Sequence, residues 1–187
     1  MTTLDDDHGF IDPDTVSPVR VAQRYGLIGS LVLIAIGMLT YLLGITDPTQ
    51  QGGAGNWIST LLNWGAMITI IVMAIKAHRT EDLGGYISMG RGFKTGFYTA
   101  FILSIIMAIW GAIFFNFVAP DMIEIIREAS MEQMESQGLT DEQLESSLGM
   151  MEMFTSVPFF TAVSFLGTLI MGTIFSVIAA AIMKKEV

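Results

Sequence analysis

Four long apolar runs constrain this chain more than any other feature. They cover residues 25–45, 57–77, 97–118 and 158–183, which are 21, 21, 22 and 26 residues long. A helix rises about 1.5 Å per residue, so roughly 20 residues cross the ~30 Å hydrocarbon core of a bilayer. The last run is long enough to span with some tilt. The sequence therefore predicts an all-α integral membrane protein, an antiparallel four-helix bundle. Only 14% of residues are charged, against about 25% in an ordinary soluble domain.

The net charge of −9 argues against a nucleic-acid partner. The chain has no cysteine, which rules out disulfides, thiolate-bound zinc, iron–sulfur clusters and thiol catalysis. Residues 1–24 read as a disordered acidic tail, with five aspartates and two prolines and too little apolar surface to bury. A secretory signal begins with a basic region, whereas this start is acidic. The first run is thus expected to stay in place as a span.

Cation placement predicts the orientation. Arg20, Arg24, Lys76, Arg79, Arg91, Lys94, Lys184 and Lys185 flank the runs on one side, and Arg127 alone lies on the other. The positive-inside rule puts the eight, and with them both termini, in the cytoplasm. The second connection, residues 80–96, reads as a glycine-rich loop on that side.

The segment 119–157 is expected outside, with nine carboxylates against one cation. From Asp121 to Gln137, the residues Asp121, Glu124, Glu128, Glu132 and Glu135 share one helix face. Met122, Ile125, Ile126 and Ala129 form the adjoining apolar stripe. Gly138 suits a helix stop, and Thr140 with Gln143 suits a capping box ahead of Leu144, Leu148 and Met151. Two short amphipathic helices forming a small cap between spans three and four are the expectation. Glu124, Glu128 and Glu132 are its candidate partner face, weighed against a simply hydrated surface.

Two spans carry small or polar residues every fourth position. The third has Ala100, Ser104, Ala108, Ala112 and Asn116. The fourth has Ser164, Thr168, Gly172, Ser176 and Ala180. Small residues let helices approach closely in lipid, so these form a candidate packing seam, within the bundle or toward a second copy or another membrane subunit. The spans hold no ionisable residue except Lys76 at an edge, which argues against an ion-coupled transporter. Asn63 and Asn116 are expected to be satisfied by hydrogen bonds between helices.

Arg91 and Lys94, beside Gly90 and Gly92, are candidate contacts for a lipid phosphate. No calcium-loop pattern accompanies the carboxylates. Met131, Met134, Met150, Met151 and Met153 read as packing more readily than as thioether ligands for Cu(I). His8 and His78 have no nucleophile or ligand set at a recognisable spacing. The expectation is no enzyme, no cofactor and no metal site.

The stretches 86–97 (YISMGRGFKTGF), 119–122 (APDM), 131–145 (MEQMESQGLTDEQLE) and 178–185 (IAAAIMKK) together resemble the bacterial membrane family called domain of unknown function 4199. The likeness runs from about Arg20 to Lys185. Met89-Gly90-Arg91 departs from the Phe-Gly-acidic flavour associated with that position in the family. The resemblance implies a four-span protein of the bacterial cytoplasmic (inner) membrane and brings no activity with it. Two functions follow as expectations: a structural or accessory subunit of a membrane complex, or a carrier or lipid-binding protein without a coupled-ion site. An exposed small-residue seam would favour the first, and a polar cleft reaching the midplane the second.

Overall fold

The structure, a computed structural model, describes residues 16–47, 49, 53–136, 149 and 151–185. Its main helices are α1 (Val19–Leu42), α2 (Ala54–Ala77), α3 (Met89–Ile113), α4 (Met122–Ser136) and α5 (Val157–Met183), of which all but α4 are long. Two of them, α2 and α3, continue unbroken into wider π-helical turns, His78–Asp82 and Phe114–Val118. With these extensions α1, α2, α3 and α5 are long and apolar enough to cross a membrane, and the fold is all-α. Extended pairing among the described residues is limited to one bridge, Ile87 to Lys185.

The helices outrun the apolar runs. Helix α1 begins at Val19, inside the stretch expected to be tail, while residues 1–15 lie outside the described residues. The expected loop 80–96 shrinks to residues 83–88, because α2 reaches Asp82 and α3 starts at Met89. Hydropathy marks where side chains leave hydrocarbon, whereas the backbone ladder ends only where something stops it. Gly84 and Gly85, at φ 63° and 102°, stop α2, and the Gly85 N–H donates to the Arg79 carbonyl at 2.8 Å. Ser88 starts α3, its Oγ accepting from the Arg91 N–H at 3.4 Å.

Contacts fix the arrangement. In α1, Thr40 meets Ser59 and Gly29 meets Ile70, so α1 and α2 run in opposite directions. Gly92 and Gly96 of α3 meet Ala180 and Ser176 of α5, which makes that pair antiparallel as well. Helix α1 runs alongside α3 in the same direction, through Gly26 against Ile102 and Tyr41 against Phe114. Helices α1 and α5 occupy opposite corners, and α2 and α3 meet across the middle. Ile71, Ile75 and Leu103 are completely buried there. Large apolar side chains such as Leu31 and Ile182 point outward, the surface a lipid-facing helix needs.

The two ends differ. At the basic end the chain is clasped. Arg79 donates to the Met183 carbonyl at 3.1 Å, and Ile87 and Lys185 exchange two backbone bonds at 3.0 Å. The Arg91 guanidinium donates to the Val16 carbonyl, and Arg24 lies 3.8 Å from Glu81. At the acidic end Asp121, just before α4, and Glu124, Glu128 and Glu132 on it are exposed, with Arg127 3.3 Å from Glu124. Met122, Ile126 and Ala129 are half-buried as expected of an apolar stripe, whereas Ile125 is exposed. Of the second expected cap helix, residues 151–154 are helical, while its Thr140, Gln143, Leu144 and Leu148 and the Gly138 stop fall outside the described residues.

Candidate functional site

The small-residue faces of α3 and α5 turn toward each other. They are closed in the basic half. A Cβ built on Gly172 would stand 2.5 Å from the Ala100 Cβ, and one on Gly96 would stand 2.7 Å from the Ser176 Oγ. In each case a small side chain of one helix lies against the glycine backbone of the other, and a methyl group there would block the approach. The buried hydroxyls there are satisfied within their own helices: Thr99 donates to the Thr95 carbonyl at 2.8 Å and Ser176 to the Gly172 carbonyl at 2.6 Å. Ala100, Ser104, Ala108, Gly172, Ser176 and Ala180 are all buried. Gly92 and Gly96 extend the seam by two turns that the sequence reading had assigned to a loop.

Toward the acidic end the same seam opens. A Cβ on Gly111 would be 3.9 Å from the Ser164 Oγ. Ala112, Ser164 and Thr168 are only half-buried. Two adjoining clefts fill the gap. The deeper, about 310 Å³, lies among α1, α2, α3 and α5, between Leu33, Trp64, Met67 and Met171, with Asn63, Ser164 and Thr168 among its polar groups. The outer, about 340 Å³, lies between α1 and the end of α3, with Met122 and Ile126 of α4 over it. Met107 and Ser164 border both clefts. No charged side chain lines either. The volumes fall at the lower end of the range for small-molecule sites, and such sites are apolar with a few placed polar groups.

Hydroxyls supply those groups in the outer cleft. Thr40 donates to the Gly37 carbonyl at 3.0 Å, and Ser59 reaches the Thr40 Oγ1 at 3.4 Å. Ser164 makes no hydrogen bond to another described residue, so its hydroxyl is available to whatever the clefts hold. The floor of the α1–α2 connection is braced by Asn56, which accepts from the Asp47 N–H at 3.1 Å and donates to the Asp47 carbonyl at 2.9 Å. Asn63 donates to the Ser59 carbonyl at 2.9 Å and Asn116 to the Ala112 carbonyl at 2.7 Å. These bonds lie within one helix, not between helices as expected, because a side-chain amide reaches its own i−4 carbonyl where no neighbour is near.

At the basic end the helix outlasts the second apolar run and carries an ionisable pair. The helix that carries α2 continues through His78, which is completely buried. Its Nδ1 lies 2.8 Å from Asp82 Oδ2, the geometry of an imidazole N–H donating to a carboxylate, and its Nε2 meets no partner among the described residues. The signal in the sequence is the His78–Asp82 spacing of four, which joins the two only if the helix runs on past the apolar run into the expected loop 80–96.

The remaining candidates stay apart. Arg91 and Lys94 sit in the first turns of α3, Arg91 turned to Val16 and Lys94 exposed. Glu124, Glu128 and Glu132 are exposed on α4. Met151 is buried, Met153 exposed and Met131 and Met134 half-buried, while Met150 lies outside the described residues. Among the described residues no three histidine or carboxylate side chains gather to hold a metal ion.

No curated protein and no solved structure matches this chain. The model of the family described as protein of unknown function DUF4199 matches residues 24–185, and the chain belongs to that family.

Proposed function

We propose that this protein binds one small amphiphile in the paired clefts at the acidic end of its bundle, as a lipid-binding or carrier protein rather than an enzyme. The observation that carries the reading is the seam that is closed at Gly172 and open at Ser164, leaving apolar, hydroxyl-dotted space among all four long helices. A site of this make-up takes up an apolar chain by burial and orients it through a few hydroxyls. No charged side chain lines the clefts to support a coupled ion.

Two glycines make the test clean. A Cβ added at Gly37, in the outer cleft, or at Gly167, in the deeper one, meets nothing within 4 Å. Leucine at either place fills the space and removes a helix glycine, which by itself adds up to about 1 kcal/mol. Native mass spectrometry of protein released from lipid nanodiscs should show one retained lipid on the wild type. Gly37→Leu and Gly167→Leu should lose it while melting no lower. Unchanged retention in both variants would reject the cleft as the site.

The accessory-subunit reading has its support in α4, whose exposed Glu124, Glu128 and Glu132 suit a basic partner. The seam lends it none, since its closed half is occupied within the molecule. Affinity purification should decide, with the triple change of these glutamates to glutamine losing a partner that salt also releases.

The proposed orientation in the cytoplasmic membrane puts the basic end inside, on the strength of the eight clustered cations. The chain has no cysteine, so single cysteines report cleanly. Ser136→Cys should label with an impermeant thiol reagent on intact cells and Lys184→Cys should not. The reverse pattern would invert the topology.

A further inference from the structure

The hydroxyls of α5 divide into two groups. Thr161, Thr173 and Ser176 donate to the carbonyls four residues back, at 2.9, 2.7 and 2.6 Å. That is the ordinary bond of a hydroxyl in a span, where water is absent. Ser164 and Thr168, one turn apart, donate to no described residue. Burial does not separate the groups, since Thr161 and Thr173 are half-buried like Ser164 and Thr168. Position does. Ser164 and Thr168 line the deeper cleft, whereas the other three line neither cleft. Asn63 of α2 lines the same space. Its amide N–H donates to the Ser59 carbonyl, and its Oδ1 accepts from no described residue.

These three groups lie well inside the bundle. Ser164 and Thr168 stand 7 and 11 residues past Val157, and Asn63 stands 9 residues past Ala54. At about 1.5 Å per residue they sit roughly 10–16 Å from the acidic ends of their helices. A phosphate, carboxylate or ammonium brought to that depth needs a partner of opposite charge, and no charged side chain lines either cleft. A hydroxyl, carbonyl or amide needs only hydrogen bonds. The cleft offers two hydroxyls and an amide oxygen that give up no bond within the protein to supply them. The rest of the wall includes Leu33, Met67, Met107 and Met171, which suits hydrocarbon.

Resting on the reading of the clefts as an amphiphile site, we infer that the ligand is an uncharged lipid. Its small hydrogen-bonding head, a hydroxyl, carbonyl or amide, is held in the deeper cleft by Ser164, Thr168 and Asn63, and its apolar chain lies along the walls of the two clefts.

The test uses four probes of equal chain length, 1-dodecanol, dodecane, dodecyltrimethylammonium and dodecyl sulfate, with protein in vesicles of phosphatidylethanolamine and phosphatidylglycerol. Binding is read from the fluorescence of Trp64, which lines the deeper cleft, in a Trp57→Phe, Trp110→Phe background that leaves it the sole tryptophan. Native mass spectrometry of the chain with all its tryptophans reads the same ratios if that background does not fold. Affinities are compared per mole fraction of probe in the membrane. The two charged probes should bind more than about 10-fold more weakly than dodecanol. The double variant Ser164→Ala, Thr168→Val breaks no hydrogen bond within the described protein and should fold. It should weaken dodecanol about 2- to 12-fold and leave dodecane within about 2-fold. Thr161→Val, whose hydroxyl is engaged by the Val157 carbonyl, should leave both probes within about 2-fold. If dodecanol changes no more than dodecane in the double variant, or if a charged probe matches dodecanol, the uncharged head is wrong and the cleft reading stands. If no probe binds above empty vesicles, or if Gly167→Leu binds dodecanol as tightly as the wild type, both readings fall.

Discussion

Replacing Gly172 with leucine should lower the unfolding midpoint in mild detergent by roughly 6–12 °C, on a cost of about 3 kcal/mol at 2–4 °C per kcal/mol for a chain of this size. The reason is local. The first added carbon would already lie 2.5 Å from the Ala100 Cβ, and Ala100 stands on the backbone of α3 with no flexible end to swing aside. The two helices must separate, and the dispersion contacts along Gly92, Gly96 and Ala100 weaken with them. Alanine at position 172 should show the same sign with a smaller loss. Gly167→Leu, five residues earlier on the same helix, supplies the contrast, since its Cβ enters open space. Equal melting of the leucine variants at 167 and 172 would contradict the closed-and-open description of the seam.

The second large effect concerns the buried imidazole. Asp82→Ala should destabilise the protein by about 1–3 kcal/mol, whereas His78→Leu should cost less than about 1 kcal/mol. Removing the carboxylate leaves Nδ1 as well as Nε2 unpaired in a site that water does not reach. Removing the histidine takes both polar atoms out of the interior and replaces them with a side chain of similar bulk. Asp82 itself retains partial access to solvent, so its own release costs little. Thermal unfolding of the two single variants and the double variant separates these terms. A His78→Leu loss larger than that of Asp82→Ala would mean that Nε2 holds a hydrogen-bonded buried water.

The four spans were legible because lipid imposes a length and a polarity on any helix that crosses it. The seam was legible because small residues at every fourth position have few other uses in a span. Both readings stopped where hydropathy stopped. Gly92 and Gly96 belong to the seam, yet Arg91 and Lys94 beside them made the segment read as a loop. His78 lies one residue past the second apolar run, beside Arg79, where hydropathy places the membrane boundary. The clefts could not be read at all. A cavity is space that side chains fail to fill where helices diverge, and its walls here come from positions as far apart as Leu33, Met67, Met107 and Met171. Tyr41 and Phe114 share no spacing, and only the parallel course of α1 and α3 brings them together.

The pairing of α3 with α5 also sets a timetable. Helix α3 ends its regular turns at Ile113 and α5 at Met183, so 70 residues separate the synthesis of the two faces. At 5–20 residues per second the glycine face of α3 waits roughly 4–14 s for its mate. Helices α1 and α2 end at Leu42 and Ala77, 35 residues apart, so their delay is half as long. A nascent chain therefore holds three helices around a vacant slot before the last one exists. The residues that make the finished bundle tightest are, for those seconds, the ones most open to a wrong neighbour.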